Sequence, residues 1–296
     1  MREEIRKIQA LMEEAQYVTD APVATSVHLA MTLRKPLLIE GHAGVGKTEV
    51  AKVMARMLNT RLIRLQCYEG LDAATALYEW NYQKQLLHIK LAEDAKRGVK
   101  EQEREIFSEE FLLRRPLLDA ITQKDRPPVF LVDETDRSDE EFEAFMLEVF
   151  AEWQVTIPEI GTIKATHPPH VILTSNRTRE LSDALRRRCL YLWIDYPSYE
   201  KELRIVERKV PGLNPRVAQE ITRFMESLRR VRLSKVPGVA ETLDWANALA
   251  ALHADHLDAE LVSETLGCVL KDADDMKRFN AEVAKSGLAP FVPAQG

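Results

Sequence analysis

Apolar positions along the chain fall into two textures. In the first two thirds, short runs are separated by polar turns; in the last third, apolar residues recur at helical spacing without interruption. Pro36-Leu37-Leu38-Ile39-Glu40, Val129-Phe130-Leu131-Val132 and His170-Val171-Ile172-Leu173 are nearly continuous and have the length of strands buried on both faces of a parallel sheet. Leu190 to Ile194 reads as a further strand, and Arg61-Leu62-Ile63-Arg64-Leu65-Gln66 alternates, which predicts a strand with one solvated face. Val155 to Ile163 alternates around a turn and predicts a hairpin. Between the runs, Met1 to Gln16 gathers Ile5, Ile8, Leu11 and Met12 on one helical face. Thr25 to Leu33 continues as a second helix, and Glu49 to Leu58 spaces Val50, Val53, Met54 and Met57 as a third. Ser138 with Glu141 reads as a capping box opening a helix to Phe150, and Ser182 as the cap of a short helix ending in Arg186-Arg187-Arg188.

From Cys67 to Lys124 this rhythm changes. Gly70 to Tyr82 is rich in aromatic and polar residues, Gln83 to Arg104 is dense in charge, and Phe111, Leu112, Leu118 and Ile121 recur at intervals that predict one helix. Two readings weigh equally: an inserted element that touches a partner or moves with ligand state, or a long helix pair with a charged, solvated face. After Asp195-Tyr196-Pro197 no strand-like run follows. Ser198 opens a helix, Asn214-Pro215 supplies an N-cap and first helical residue, and Val217, Ile221, Phe224, Leu228 and Val231 form a stripe; Leu243 to Leu252, Asp258 to Leu270 and Asp274 to Val283 continue the pattern. The expected division is an α/β domain over 1–197, carrying an insert at about 68–110, and an all-α domain over 198–296 with a frayed tail after Lys285.

Composition narrows the class. Across 296 residues, 41 Lys and Arg face 47 Asp and Glu, a net charge of -6 that gives no general field for nucleic acid. Cys67, Cys189 and Cys268 are scattered without metal-ligand spacing, which suits buried thiols in a reducing compartment. The longest stretch without a charged side chain, Ala21 to Leu33, is too short to span a bilayer, and Met1-Arg2-Glu3-Glu4 does not open a signal peptide. The expectation is a cytoplasmic protein with no membrane span.

Candidate chemistry sits at the ends of the predicted strands. Gly41-His42-Ala43-Gly44-Val45-Gly46-Lys47-Thr48 has two glycines at P-loop spacing followed by Lys and Thr, between a strand and a helix. Such a loop turns backbone N–H groups into one concavity at a helix N-terminus. Lys47 then reaches terminal phosphates, Thr48 can hold Mg²⁺, and Glu49 follows in the first turn. The strand from Val129 delivers Asp133 and Glu134 to its C-terminal end, an acid for Mg²⁺ and an acid to orient or activate water. Asn176 closes the His170 strand with a neutral amide that can hydrogen-bond water or phosphate, or that simply begins a turn. At least one of the three arginines before Cys189 is a candidate to meet phosphate, across a subunit boundary.

The phosphate loop, Asp133-Glu134, Asn176 and the arginine-ended helix, in that order and with a helical region behind them, resemble AAA+ ATPases. The run Glu69-Gly70-Leu71-Asp72 with Tyr78-Glu79-Trp80 resembles the MoxR family, in particular its CoxD-like branch. The resemblance implies a three-layer P-loop domain with a five-stranded parallel sheet, a helical lid, ATP with Mg²⁺, and a homo-oligomeric ring, usually hexameric. It makes Lys47 and Thr48 the Walker A ligands, Asp133 and Glu134 the Walker B pair, Asn176 sensor 1 and Arg188 the arginine finger. The stretch from Lys47 to Asp133 is longer than one strand, its helix and two loops require, in keeping with the helix-2-insert clade of that family. One departure stands out: Gly238-Val239-Ala240-Glu241-Thr242-Leu243 has no arginine where sensor 2 is expected, which leaves either Arg232 or Lys235 to substitute or hydrolysis to be slow. The family resemblance further implies chaperone-like remodelling or maturation of a client, often a metal-cofactor enzyme, beside a von Willebrand A domain partner. A motor acting on nucleic acid is the competing class, against which the net charge counts, and a small-molecule phosphotransferase is a weaker third.

Overall fold

The computed structural model describes residues 2–92 and 104–291. Part of the charged stretch Gln83–Arg104, namely 93–103, and the end of the tail, 292–296, lie outside the described residues. In chain order the elements begin α1 (Arg2–Glu14), α2 (Ala21–Leu33), β1 (Leu37–Gly41), α3 (Lys47–Met57), β2 (Leu62–Gln66), α4 (Ala73–Leu77), β3 (Tyr78–Trp80) and α5 (Tyr82–Ala92). They continue with β4 (Leu112–Arg114), α6 (Pro116–Ile121), β5 (Val129–Asp133), α7 (Glu140–Glu152), β6 (Gln154–Ile157), β7 (Gly161–Lys164), β8 (His170–Ser175), α8 (Asp183–Arg188) and β9 (Leu190–Ile194). The last third holds α9 (Tyr199–Lys209), α10 (Pro215–Leu228), α11 (Val239–Ala251), α12 (Ala259–Thr265) and α13 (Ala273–Ser286). By compactness the chain divides into one unit of residues 1–5, 22–40 and 51–192, and a second of 6–21, 41–50 and 193–296.

A five-stranded parallel sheet of order β2-β5-β8-β1-β9 carries the α/β part, with helices on its faces. Every residue of β1 and β5 is buried, as their unbroken apolar sequences require, whereas β2 alternates because it is an edge strand. Register pairs Leu38 with Leu173 and Val132 with Leu173, so Glu40, Asp133 and Ser175 all arrive at the same C-terminal edge. The core of the first unit packs Leu38, Phe130 and Leu173 with Phe111, Leu117 and Met146, all essentially without exposure.

Three local expectations are corrected. Phe111 to Ile121 is not one helix: Phe111 ends a 3₁₀ turn, Leu112–Arg114 pairs antiparallel with β3, and α6 starts only at Pro116. Proline forces the cause, because Arg115 before it is held extended (φ -85, ψ 169) and Pro116 then serves as first helical residue. The inserted element is therefore a mixed unit whose Leu71, Leu77 and Trp80 enter the core, not a plain helix pair. The cap of α7 is Asp139, which accepts from Phe142 N–H, while the Ser138 hydroxyl donates to Thr135 carbonyl. The tail does not fray from Lys285: Phe291 is buried, 5.8 Å from Phe224 and 5.1 Å from Phe279. The hairpin expected near Val155 is present as β6 and β7.

In the second unit, Val217, Ile221, Phe224 and Leu228 form the buried stripe of α10 against Trp245 and Leu249 of α11 and Phe279 of α13. Phe224 is the centre, with its ring 4.8 Å from Trp245 and 5.6 Å from Phe279. Each such side chain contributes about 1.5–3 kcal/mol by leaving water. A buried ion pair fastens the same unit: Glu202 takes both arms of Arg229, which also donates to Pro237 carbonyl at 2.9 Å. Among the described residues no helix is long and apolar enough to cross a membrane.

Candidate functional site

The glycine loop leaves β1 at the edge where the strands end and runs into α3. Gly44 and Gly46 have φ of 73° and 93°, conformations in which a side chain is strained, and nothing stands within 4 Å of where a Cβ on Gly46 would be. The loop is thus open at Gly46 and packed at Gly44, where a Cβ would stand 3.0 Å from Glu241 Oε2, and it leads into the N-terminus of an eleven-residue helix. Lys47 is buried, and its Nζ donates to the carbonyls of Gly41 at 2.9 Å and His42 at 2.6 Å. A cation at a helix N-terminus fits an anionic ligand. Thr48 and Glu49 begin the helix half-buried, with Glu49 3.7 Å from Lys209 Nζ. His42 lies flat on Tyr196, rings 4.5 Å apart and 10° from parallel, with Trp193 edge-on at 5.6 Å and Asp195 3.7 Å from its Nε2.

Within the second unit, the start of α11 meets this loop with backbone. Ala240 N–H donates to Gly44 carbonyl at 3.1 Å, and Gly238 lies so close that a Cβ there would stand 2.6 Å from Ala43 carbonyl oxygen. Glu241 accepts Gly238 N–H at 2.8 Å, closing the first turn of α11. The position expected of a sensor 2 arginine is therefore occupied by peptide contacts. Lys235 is 3.6 Å from Asp272 and Arg232 is exposed.

In the first unit, Asp133 and Glu134 end β5. Asp133 is buried; its Oδ1 accepts Thr174 Oγ1 at 2.5 Å and its Oδ2 accepts Arg64 Nε and Nη2 at 2.9 and 2.6 Å. The same Thr174 hydroxyl accepts Glu134 N–H at 2.9 Å. Glu134 has left-handed backbone (φ 55, ψ 50), an unfavourable state for a non-glycine that turns its side chain out of the sheet's alternation. Its carboxylate accepts Gln66 Nε2 at 3.2 Å and lies 2.9 Å from Arg137 Nε. Cys67 sits beneath, its N–H on Asp133 carbonyl, and burial first, then the Asp133 charge, push its thiol up to about 12. The carboxylate of Asp133 is the donor type that suits a hard divalent cation; among the described residues no cluster of three or more His, Cys, Asp or Glu forms a metal site.

Asn176 follows β8 with its N–H on Asp136 Oδ2 at 3.2 Å, and Thr178 N–H shares that oxygen at 2.8 Å. The three arginines of α8 have separate surroundings. Arg186 reaches the buried Glu40 at 3.2 Å, joined there by Arg177 at 3.7 Å and Tyr191 hydroxyl at 3.0 Å. Arg188 donates to Leu147 carbonyl at 3.2 Å, and Arg187 is exposed. Sequence reasoning missed Arg64, Gln66 and Thr174. The first two were visible only as the polar alternates of a strand, and the third as a hydroxyl inside an apolar run.

The sequence profile of the AAA domain (dynein-related subfamily) matches residues 36–189. No curated protein matches the chain. Among solved structures, the chain is similar to a point mutant of Thermotoga maritima RuvB at TM-score 0.51 and 16% identity, covering 97% of this chain and 76% of that one. It is also similar to the T. maritima RuvB Holliday junction branch migration motor at TM-score 0.48 and 17% identity, covering 90% and 73%. A candidate ATPase of Cytophaga hutchinsonii has TM-score 0.48 and 15% identity, with 97% and 94% coverage.

Proposed function

Given that the chain belongs to the AAA domain family, dynein-related subfamily, and hydrolyses ATP, we propose that it is a MoxR-type ring ATPase that remodels or matures a client protein. In this reading the loop from Gly41 to Thr48, with Glu49, holds the phosphates, and Lys47 supplies the charge that meets the terminal ones. Thr48 and Asp133 would hold Mg²⁺, which when bound offsets phosphate charge. Glu134 orients and deprotonates the attacking water, and Asn176 steadies it. Thr174 is the observation that carries the assignment. Its one hydroxyl fixes the Asp133 carboxylate and the Glu134 backbone together, so the two acids hold constant relative positions while their side chains take different tasks.

Arg188 acts on ATP of a neighbouring subunit in a homo-oligomeric, hexameric ring; Arg187, exposed and next to it, is the alternative finger. A guanidinium stays charged and matches the spread charge of a transferring phosphoryl group. The chemistry is then confined to an assembled, cytoplasmic ring. The MoxR-like residues Glu69–Asp72 and Tyr78–Trp80 support the client role, with a von Willebrand A domain protein beside the ring.

Calorimetry tests the division of labour. Lys47→Ala loses ATP binding, whereas Glu134→Gln binds ATP and loses turnover, because Glu134 acts only when water attacks. Equal loss of binding in both variants contradicts the roles. Affinity capture on the ATP-trapped Glu134→Gln protein, read by mass spectrometry, identifies the client; ATPase stimulated by nucleic acid instead moves the reading to a motor on that substrate.

A further inference from the structure

The acid assigned to Mg²⁺ already has a cation. Arg64 and Gln66 are the outward alternates of edge strand β2, where solvent exposure is the ordinary outcome. Register opposes Arg64 to Leu131 and Gln66 to Asp133, so the side chains of Arg64, Gln66, Leu131 and Asp133 share one face of the sheet. Arg64 uses that face to lay two N–H groups on the single oxygen Oδ2 of Asp133. With Thr174 on Oδ1, both oxygens of a carboxylate only 4% exposed are engaged by donors. The partner is differently placed, since the Arg64 side chain is 53% exposed.

This asymmetry has a physical meaning. A buried carboxylate is costly without a counter-charge, and removal of its partner leaves that cost uncompensated. A divalent cation needs oxygen lone pairs that two guanidinium N–H groups occupy, and it must either displace them or accept a positive charge a few ångströms away. Arg64 can leave cheaply, because its head already lies half in water and its stem can rotate. Asp133 cannot follow, being fixed by Thr174.

We propose that Arg64 is a resident counter-ion of Asp133 and competes with Mg²⁺ for it, raising the free Mg²⁺ concentration at which the enzyme takes up metal with its nucleotide. Arg64 is thus a positioning residue, acting through Asp133 and not on substrate. The inference rests on the assignment of Asp133 to Mg²⁺ made above.

The test measures binding, not turnover. A fluorescent ATP analogue is titrated onto wild-type, Arg64→Ala and Arg64→Lys proteins in EDTA and at stepped free Mg²⁺, with circular dichroism and thermal melting as controls of folding. Arg64→Ala lowers the half-saturating Mg²⁺ about three- to tenfold, the scale on which a half-exposed charge acts on a doubly charged neighbour. Arg64→Lys, which keeps the charge and loses the fork, falls between. Affinity in EDTA stays within about twofold of wild type, since no phosphate contact is removed. Mn²⁺ binding followed by electron paramagnetic resonance gives the same order of variants. An unchanged or raised half-saturating Mg²⁺ in folded Arg64→Ala overturns the proposal, as does an equal change in EDTA. Asp133→Asn separates the two levels. If it leaves the Mg²⁺ dependence at the wild-type value, the assignment of Asp133 fails; if it removes that dependence while Arg64→Ala changes nothing, only the competition fails.

Discussion

Gly238 gives a prediction with a magnitude fixed by distance. A methyl group there would stand 2.6 Å from the Ala43 carbonyl oxygen and 2.8 Å from both Gly44 C and Cα, all backbone atoms of the glycine loop. No flexible side chain can yield, so the first turn of α11 or the loop must shift. Overpacking of this kind costs about 1–3 kcal/mol. If α11 lifts, the Ala240 to Gly44 hydrogen bond goes too, worth about 0.5–1.5 kcal/mol. Against this, replacing glycine by alanine restricts the unfolded chain and returns about 0.4–1 kcal/mol. The net is a loss of about 1–3 kcal/mol for Gly238→Ala. Gly267→Ala is the matched control in the same unit, because its methyl group would meet only Met276 Cε at 3.9 Å; it should be neutral or stabilising. Urea denaturation at 25 °C measures stability, and titration with a fluorescent ATP analogue measures whether the strain goes into the loop. Every 1.4 kcal/mol that does so weakens binding about tenfold. Gly238→Ala indistinguishable from Gly267→Ala in both measurements would refute the contact.

Glu202→Ala should destabilise by about 3–5 kcal/mol in thermal or urea melts, since it strands the 8% exposed Arg229. Joint replacement by apolar residues of similar volume should recover most of that loss. Burial pushes the Cys67 and Cys189 thiols up to about 12, from a usual value near 9.0. The stability these neutral thiols contribute is complete below pH 9.0 and is lost as pH rises toward about 12. At pH 8, iodoacetamide followed by mass spectrometry should leave the buried Cys67 unmodified and label the half-buried Cys189 only slowly in folded protein, and modify both in urea; rapid labelling of Cys67 in the folded state would contradict its burial.

The sheet was legible because buried parallel strands are apolar on both faces, and β1, β5 and β8 could be read from composition and length alone. The glycine loop and Asp133-Glu134 were legible because their chemistry is local in sequence. What failed was whatever depended on a distant partner. Alternation in β2 correctly turned Arg64 and Gln66 away from the core, but period alone cannot say that the face they share carries Asp133. Gly238 entered the sequence reading only within the stretch that lacks a sensor 2 arginine, and only the folded chain brings it onto Ala43 and Gly44. Phe111 to Ile121 had helical spacing, yet Pro116 and the residue before it outweighed that periodicity. Ser138 and Asp139 are both good caps, and the choice between them rested on which side chain faced Phe142 N–H.

The arginine-ended helix has a consequence for how its sequence can change. Arg186, Arg187 and Arg188 are chemically identical, and rotation alone distributes them: one to the Glu40 carboxylate, one to solvent, one to the Leu147 carbonyl. Successive residues on a helix are turned by about 100°. Inserting one residue between Ser182 and Leu185 would put Leu185 where Arg186 now meets Glu40, leaving Arg177 as the cation there, and deleting one would drive Arg186 into the buried place of Leu185, even though no arginine had been lost. The spacing of this short segment is therefore under tighter constraint than its composition, and variation there should take the form of substitution, with length held fixed.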